Sequence, residues 1–213
     1  MLFRRIFGIC LAGFVGCTLF ARANPEIRQS PTKKPAPLRS VTIAIIRKLP
    51  DATVVDQLDE FVWHIVEKAA DPRSECLRLP QGLQMIYATR ELDGEVNNGG
   101  FHQFFWNSSG KLCDVALKGL KLVGDKDRIA LLRKAMVIHA QDEINHPITD
   151  KSTMEQFEAS EKLSTLGSLD DKYYKLKVDL EKLQIRCIRA HPEYFVYPIP
   201  KGRHKSSGHR ART

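Results

Sequence analysis

Cysteine is scarce in this sequence, hydrophobic runs are short, and neither sign of charge is in excess once the chain ends are set aside. Five of the 213 residues are cysteine, and Cys10 and Cys17 fall within the first 23 positions. The remaining Cys76, Cys113 and Cys187 allow at most one internal bridge, which excludes a disulfide-built scaffold and leaves the fold to a hydrophobic core. The apolar run from Ile6 to Phe20 has fifteen residues, short of the roughly 20 that a helix needs to cross a bilayer. The formal charge of +8 sits at the ends, whereas 25 basic residues face 25 acidic ones between Asn24 and Pro200. A neutral body argues against a nucleic-acid groove in the folded part. There is no glycine-rich phosphate loop, nucleophile elbow or Cys-x-x-Cys pair, so the common sequence signatures of nucleotide hydrolysis, serine hydrolysis and thiol redox chemistry are missing.

What is present begins with an export pattern. MLFRR supplies positive charge, the apolar run follows, and Ala21-Arg22-Ala23 offers the small-x-small site that signal peptidase accepts. Residues 1–23 therefore read as a cleaved signal, and the protein as periplasmic or secreted. Phe14-Val15-Gly16-Cys17 loosely resembles a lipobox, which makes a lipid anchor on Cys17 the alternative. Residues 24–50 read as a proline-rich linker followed by a short apolar segment, Val41 to Ile46, which suits a strand or a helical turn equally. Residues 199–213 form a basic tail, expected to be disordered, with contact to anionic envelope components as its alternative use.

Between the ends the periodicity is helical. Val54, Leu58, Phe61 and Ile65 share one face, with Asp51 placed to cap the start and Asp71-Pro72 to end the helix. A second helix follows Pro80, its stripe of Met85, Ala88, Leu92 and Val96 flanked by Tyr87, Glu91, Glu95 and Asn98. Gly99-Gly100 should break it. Phe101, Phe104 and Phe105 restart the apolar pattern before the turn-forming Asn107-Ser108-Ser109-Gly110. Further helices are predicted from Leu112 to Val123, from Asp125 or Asp127 through Ala140, and around Met154 to Leu163. A long one starts at a capping-box-like Ser168–Asp171 and runs past Cys187 to Pro192. The expectation is an all-α, single compact domain of five or six helices, with a helix break at the glycine pair.

The stretch EVNNGGFHQFFWNSSG, residues 95–110, holds four amides, three glycines and four aromatics. With Glu95, Asn98, Gly99, Gly100, Phe101, Gln103, Phe104, Phe105, Asn107, Ser108, Ser109 and Gly110 in that order, it resembles the signature of the DNA-mimic protein family. LDDKYYKL at 169–176 and RAHPEYF at 189–195 extend the likeness over roughly residues 51–198. The resemblance implies an α-helical domain used for protein contact, with no established chemistry for most members. In the member that gives the family its name, carboxylates imitate DNA phosphates. Duplex DNA carries about one negative charge per 1.7 Å, and a body balanced at 25 against 25 departs from that, so the fold carries over and the mimicry does not.

Two polar clusters could carry chemistry. Glu91 and Glu95 lie four apart on one helix, with Asn98 and His102 following, a set able to bind a metal, divide acid and base roles, or simply pair with Arg90, Lys118 or Lys121. The second is His139, Asp142, Glu143 and His146, in which Glu143 and His146 have the Glu-x-x-His spacing of di-iron bundles. Only one copy of that spacing exists, and Asn145 and Pro147 suggest that the helix stops before His146. Cys187 reads as core, and a Cys76–Cys113 bridge in an oxidising compartment stays open. The signature itself can be a packing junction or a binding site built on one.

The reading that follows is an exported, non-enzymatic helical module that binds a protein partner. Its candidate contact residues are Glu91, Glu95, Asn98, Gly99, Gly100, His102, Gln103 and Asn107, with no cofactor expected and homo-oligomers left open. The alternatives are a metal-binding protein or hydrolytic enzyme using Glu91, Glu95 and His102 or Asp142, Glu143 and His146, and an immunity-type protein that neutralises a toxin.

Overall fold

In a computed structural model of the chain, residues 36–147 and 153–197 are described. The export signal, Cys17, residues 24–35 of the linker and the basic tail lie outside these. The described residues form nine α-helices and no strand: α1 Ile43–Lys48, α2 Asp51–Val66, α3 Pro72–Leu77, α4 Gln81–Trp106, α5 Cys113–Val123, α6 Lys126–Asn145, α7 Met154–Leu163, α8 Gly167–Tyr174 and α9 Leu180–Ala190. Two 3₁₀ turns, Ser108–Leu112 and Pro192–Phe195, complete the set. The all-α class agrees with the sequence reading. The count exceeds five or six because α1 and α3 are single turns flanked by proline or leucine, and because the long helix predicted from residue 168 to 191 is two.

α4 is the axis of the fold, packed against α2, α5 and α8. Its apolar stripe is fully withdrawn from water at Leu83, Ile86, Ala88, Leu92 and Val96, and beyond the glycines at Phe101 and Phe104. Each such side chain contributes about 1.5–3 kcal/mol, so both arms of the broken helix are anchored in one core. Gly119 on α5 sits against Thr89 and Met85 of α4, where a Cβ would come within 2.9 Å of Thr89 Cγ2. A side chain there would push the two helices apart. Thr89 in turn donates to Met85 O (2.6 Å) and accepts from Gln184 Nε2 (2.9 Å), satisfying both buried polar groups.

Val41 to Ile46 is neither strand nor helix alone. Val41 exchanges two backbone hydrogen bonds with Tyr197, at 2.9 and 2.8 Å, and α1 begins two residues later, capped by Thr42. Val41 and Ile46 are both buried in the core. Asp51 does not cap α2, whose N-cap is Pro50 without a side-chain bond. Its carboxylate instead receives Arg189 of α9 at 2.6 Å, while the same guanidinium donates to Ile46 O and Leu49 O. A charged pair spanning the chain outweighed a local cap. Asp71 does not end α2, which stops at Val66 with Glu67 as its C-cap; it caps the next helix instead, accepting from Arg73 N and Ser74 N.

The predicted 168–191 helix divides because tertiary partners claim its middle. Arg128 on α6, almost wholly buried, donates to Val178 O (3.0 Å), a carbonyl that a continuous helix would have used internally. Asp179 then caps α9 through Lys182 N. The Arg128 guanidinium also binds Asp125 Oδ2 (2.7 Å) and the hydroxyl of Tyr173 (3.1 Å), and lies 3.4 Å from Asp93 Oδ1. Tyr173 donates onward to Asp93 at 2.8 Å and packs edge-on against Phe101 at 5.5 Å. Burial, reinforced by the Asp93 carboxylate, holds the Tyr173 hydroxyl well above its ordinary pKa. This node ties α4, α6, α8 and the turn before α9 to one another.

Candidate functional site

The glycine pair bends α4 by leaving helical geometry at two residues, Gly99 (φ −155°, ψ 28°) and Gly100 (φ 76°, ψ 179°). The second conformation is accessible essentially only to glycine. A break of this kind strands backbone donors that need new partners. Asp170 of α8 supplies one, its Oδ1 accepting from Phe101 N at 2.9 Å. The carboxylate lies so close over Gly100 that a Cβ there would overlap its Oδ2.

On the other side of the bend, Glu95 acts as a common acceptor. Gln103 Nε2 donates to it at 2.6 Å, Asn107 Nδ2 at 2.9 Å and Ser109 Oγ at 3.4 Å. Asn98 closes the ring by donating to Gln103 Oε1 at 3.1 Å, and a Cβ on Gly99 would collide with that same amide. Gly110 is required where the chain turns back, since a Cβ would lie 2.8 Å from Phe105 Cα. Glu95, Asn98, Gln103, Asn107 and Ser109 are thus engaged with one another across the break, and Phe101, Phe104 and Phe105 are buried beneath. Glu95 bonds to amides and a hydroxyl and not to Arg90, Lys118 or Lys121. Arg90 pairs with Asp56 and Asp59, and Lys118 with Asp114.

Asp170 has a titration signature. Burial raises its pKa above 3.8, with Glu161 and Asp171 adding to the rise and the Phe101 N–H opposing it. A carboxyl whose folded pKa is raised contributes stability at pH below its unfolded value and loses that contribution as pH climbs through the folded value. Denaturant midpoints of wild type and Asp170→Asn, compared from pH 3 upward, are therefore expected to converge or cross in wild type's disfavour as pH rises past about 4. Asp170→Ala, which leaves the Phe101 N–H without its acceptor, should cost about 1–3 kcal/mol at neutral pH. Parallel midpoint curves for wild type and Asp170→Asn would contradict this account.

His102 departs from the rest of the signature. Its Nε2 sits 2.9 Å from Ser160 Oγ on α7, and its ring packs on Phe157 at 4.9 Å. Together with Phe105 and Trp106 it forms one wall of a cavity of about 350 Å³. The opposite walls are His139, Asp142, Glu143 and His146 of α6 and Ser160, Leu163 and Ser164 of α7. The structure therefore joins His102 to the second sequence cluster and separates it from Glu95, which belongs to the internal ring. Glu91 is half-buried on the side of Cys76, whose thiol burial pushes up to about 12. Cys76, Cys113 and Cys187 are all free thiols.

Within the cavity His139 stacks on Phe105 at 4.2 Å and lies 3.4 Å from Glu143 Oε1, and Ser164 Oγ donates to Asp142 Oδ2 at 2.7 Å. α6 ends at Asn145, leaving His146 outside helical geometry. Among the described residues no three His, Cys, Asp or Glu side chains converge as a metal set. The Ser160 hydroxyl lies within hydrogen-bond reach of both Phe157 O, at 2.8 Å, and His102 Nε2, and its single proton serves one of them at a time.

Sequence reasoning missed the role of Asp170, the Arg128 node and the contribution of α7 to the cavity. All three depend on contacts between residues tens of positions apart, for which no local pattern exists. Among the described residues no helix is long and apolar enough to cross a membrane. No curated protein matches the chain, and no solved structure does. A family model described as DMP19-like protein matches residues 77–191, more than half of the chain, from the end of α3 to the end of α9. The bend, its internal ring, the Asp170 contact and the α6–α7 cavity all fall within that span, and the chain belongs to the DMP19-like protein family.

Proposed function

We propose that this protein is an exported, non-enzymatic module that binds another protein, and that its contact surface is the cavity between the second arm of α4, α6 and α7. The observation that carries the reading is the division of labour within the signature. Its carboxylate, amides and glycines serve the bend internally, whereas His102, Phe105 and Trp106 reach the cavity. At the cavity a large apolar side chain faces water, Leu163 being 56% exposed. Apolar surface rimming a concave site is characteristic of binding surfaces. Export is supported by the sequence of residues 1–23, and an immunity-type role would be the same module with a toxin as its partner.

A photo-crosslinking amino acid introduced at Leu163, in cells that make the protein, should join one protein partner recovered with the envelope or medium. The same group at Leu77, exposed on α3, should not. The purified partner should then bind the wild-type chain and lose affinity for Leu163→Asp. Equal crosslinking from Leu77, or binding indifferent to Leu163→Asp, removes the cavity as the contact surface. A partner found only in the cytosol removes export.

A further inference from the structure

We propose that the cavity receives a lysine or arginine side chain carried on an apolar segment of the partner; this rests on the cavity being the contact surface. Two carboxylates, Asp142 and Glu143, stand on its α6 wall, and no lysine or arginine lines it among the described residues. A carboxylate accepts about four hydrogen bonds; Ser164 supplies one to Asp142, and Glu143 is 57% exposed beside His139. α6 also terminates at this cavity, with no basic residue in its last turn, so the negative end of a twenty-residue helix is directed there without compensation from its own sequence. α7 ends there too, at Leu163, and its exposed outer residues Glu155, Glu158 and Glu161 add negative charge nearby against the single Lys162.

The remaining walls suit the uncharged part of such a side chain. Trp106, Phe105 and Leu163 give its methylene stem an apolar surface, and aromatic faces attract a cation directly. A volume of about 350 Å³ lies at the small end of ligand sites. It accommodates one anchoring side chain and not a row of charges. Leu163, which is exposed and lines the cavity, is placed to meet an apolar residue beside the anchor.

The test uses random linear peptides displayed on phage and selected on the full purified chain, followed by anisotropy titration of the enriched sequences. Expected are peptides with a lysine or arginine between apolar residues, whose binding is weakened by Leu163→Ser. They should weaken roughly tenfold or more on Asp142→Asn/Glu143→Gln, and also as salt rises from about 0.05 to 0.5 M. Glu143→Lys, at a position more than half exposed, reverses the local charge without burying anything. It keeps the test decisive if the double variant folds poorly. Peptides that bind in the cavity but lack a basic residue, or ignore both variants, overturn the cationic anchor and leave the protein-binding reading intact. Peptides that are indifferent to Leu163→Ser, or a failure of any peptide to bind, overturn both.

Discussion

Gly100→Val is expected to abolish expression of folded protein, or to lower its stability by about 2–6 kcal/mol. Two costs combine. The backbone at Gly100 has φ 76° and ψ 179°, a region that non-glycine residues enter only at about 1–3 kcal/mol or more. The new Cβ would also overlap the Asp170 carboxylate, and displacing it strands the Phe101 N–H at about 1–3 kcal/mol. Against a typical domain stability of roughly 5–15 kcal/mol, the sum removes a large part of the total. Gly94→Ala, on the same helix with nothing within 4 Å of a new Cβ, should instead add about 0.5–1 kcal/mol. Urea denaturation of both variants checks the pair. A wild-type midpoint for Gly100→Val would mean that the bend is not held in this geometry.

Arg128→Met should cost about 3–5 kcal/mol, the range for removing one partner of a buried charged pair. The loss is large because Asp125, with its side chain 1% exposed, would be left in a dry site without its ionic partner. Tyr173 and the Val178 carbonyl would each lose a donor at the same time. Arg128→Lys should recover little, because a single ammonium cannot reach Asp125, Tyr173 and Val178 at once. Equilibrium unfolding of the two variants decides it, with near wild-type stability for Arg128→Lys counting against the node. The effect on α8 and α9 should exceed that on α2, visible as earlier hydrogen exchange in residues 167–190 than in residues 51–66.

Both predictions concern residues whose importance the sequence expressed unequally. Gly100 announced itself: a glycine doublet inside a helical pattern has few explanations other than a bend. Arg128 did not, being one basic residue in a helix opening KDRIALLRK, and nothing local distinguishes it from Arg133. α5, α7 and the start of α6 were legible nearly to the residue, because Gly124, Asp125 and Thr153 are strong local stop and start signals, whereas α6 continues past Ala140 to Asn145. The helix from 168 to 191 was misjudged since an unbroken stripe of leucines and tyrosine says nothing about a guanidinium arriving from fifty positions away. Asp51 was misjudged for the same reason, its local capping role yielding to Arg189.

The site divides in the same way. The polar ring around Glu95 is short-range, fourteen positions at most, and its residues could be named from the signature even though their use there is internal. The cavity is long-range: His102 meets Ser160 across 58 positions, and the histidines and carboxylates of α6 become its far wall only when α6 and α7 close on the second arm of α4. Periodicity, capping and glycine placement are properties of neighbours along the chain, so the sequence by itself determined the all-α class, most helix bounds and the bend. Which polar groups are turned inward and which face a shared cavity depends on how the bent α4 packs against α6, α7 and α8. Only the tertiary structure decided that, because burial and pairing are set by partners distant in sequence.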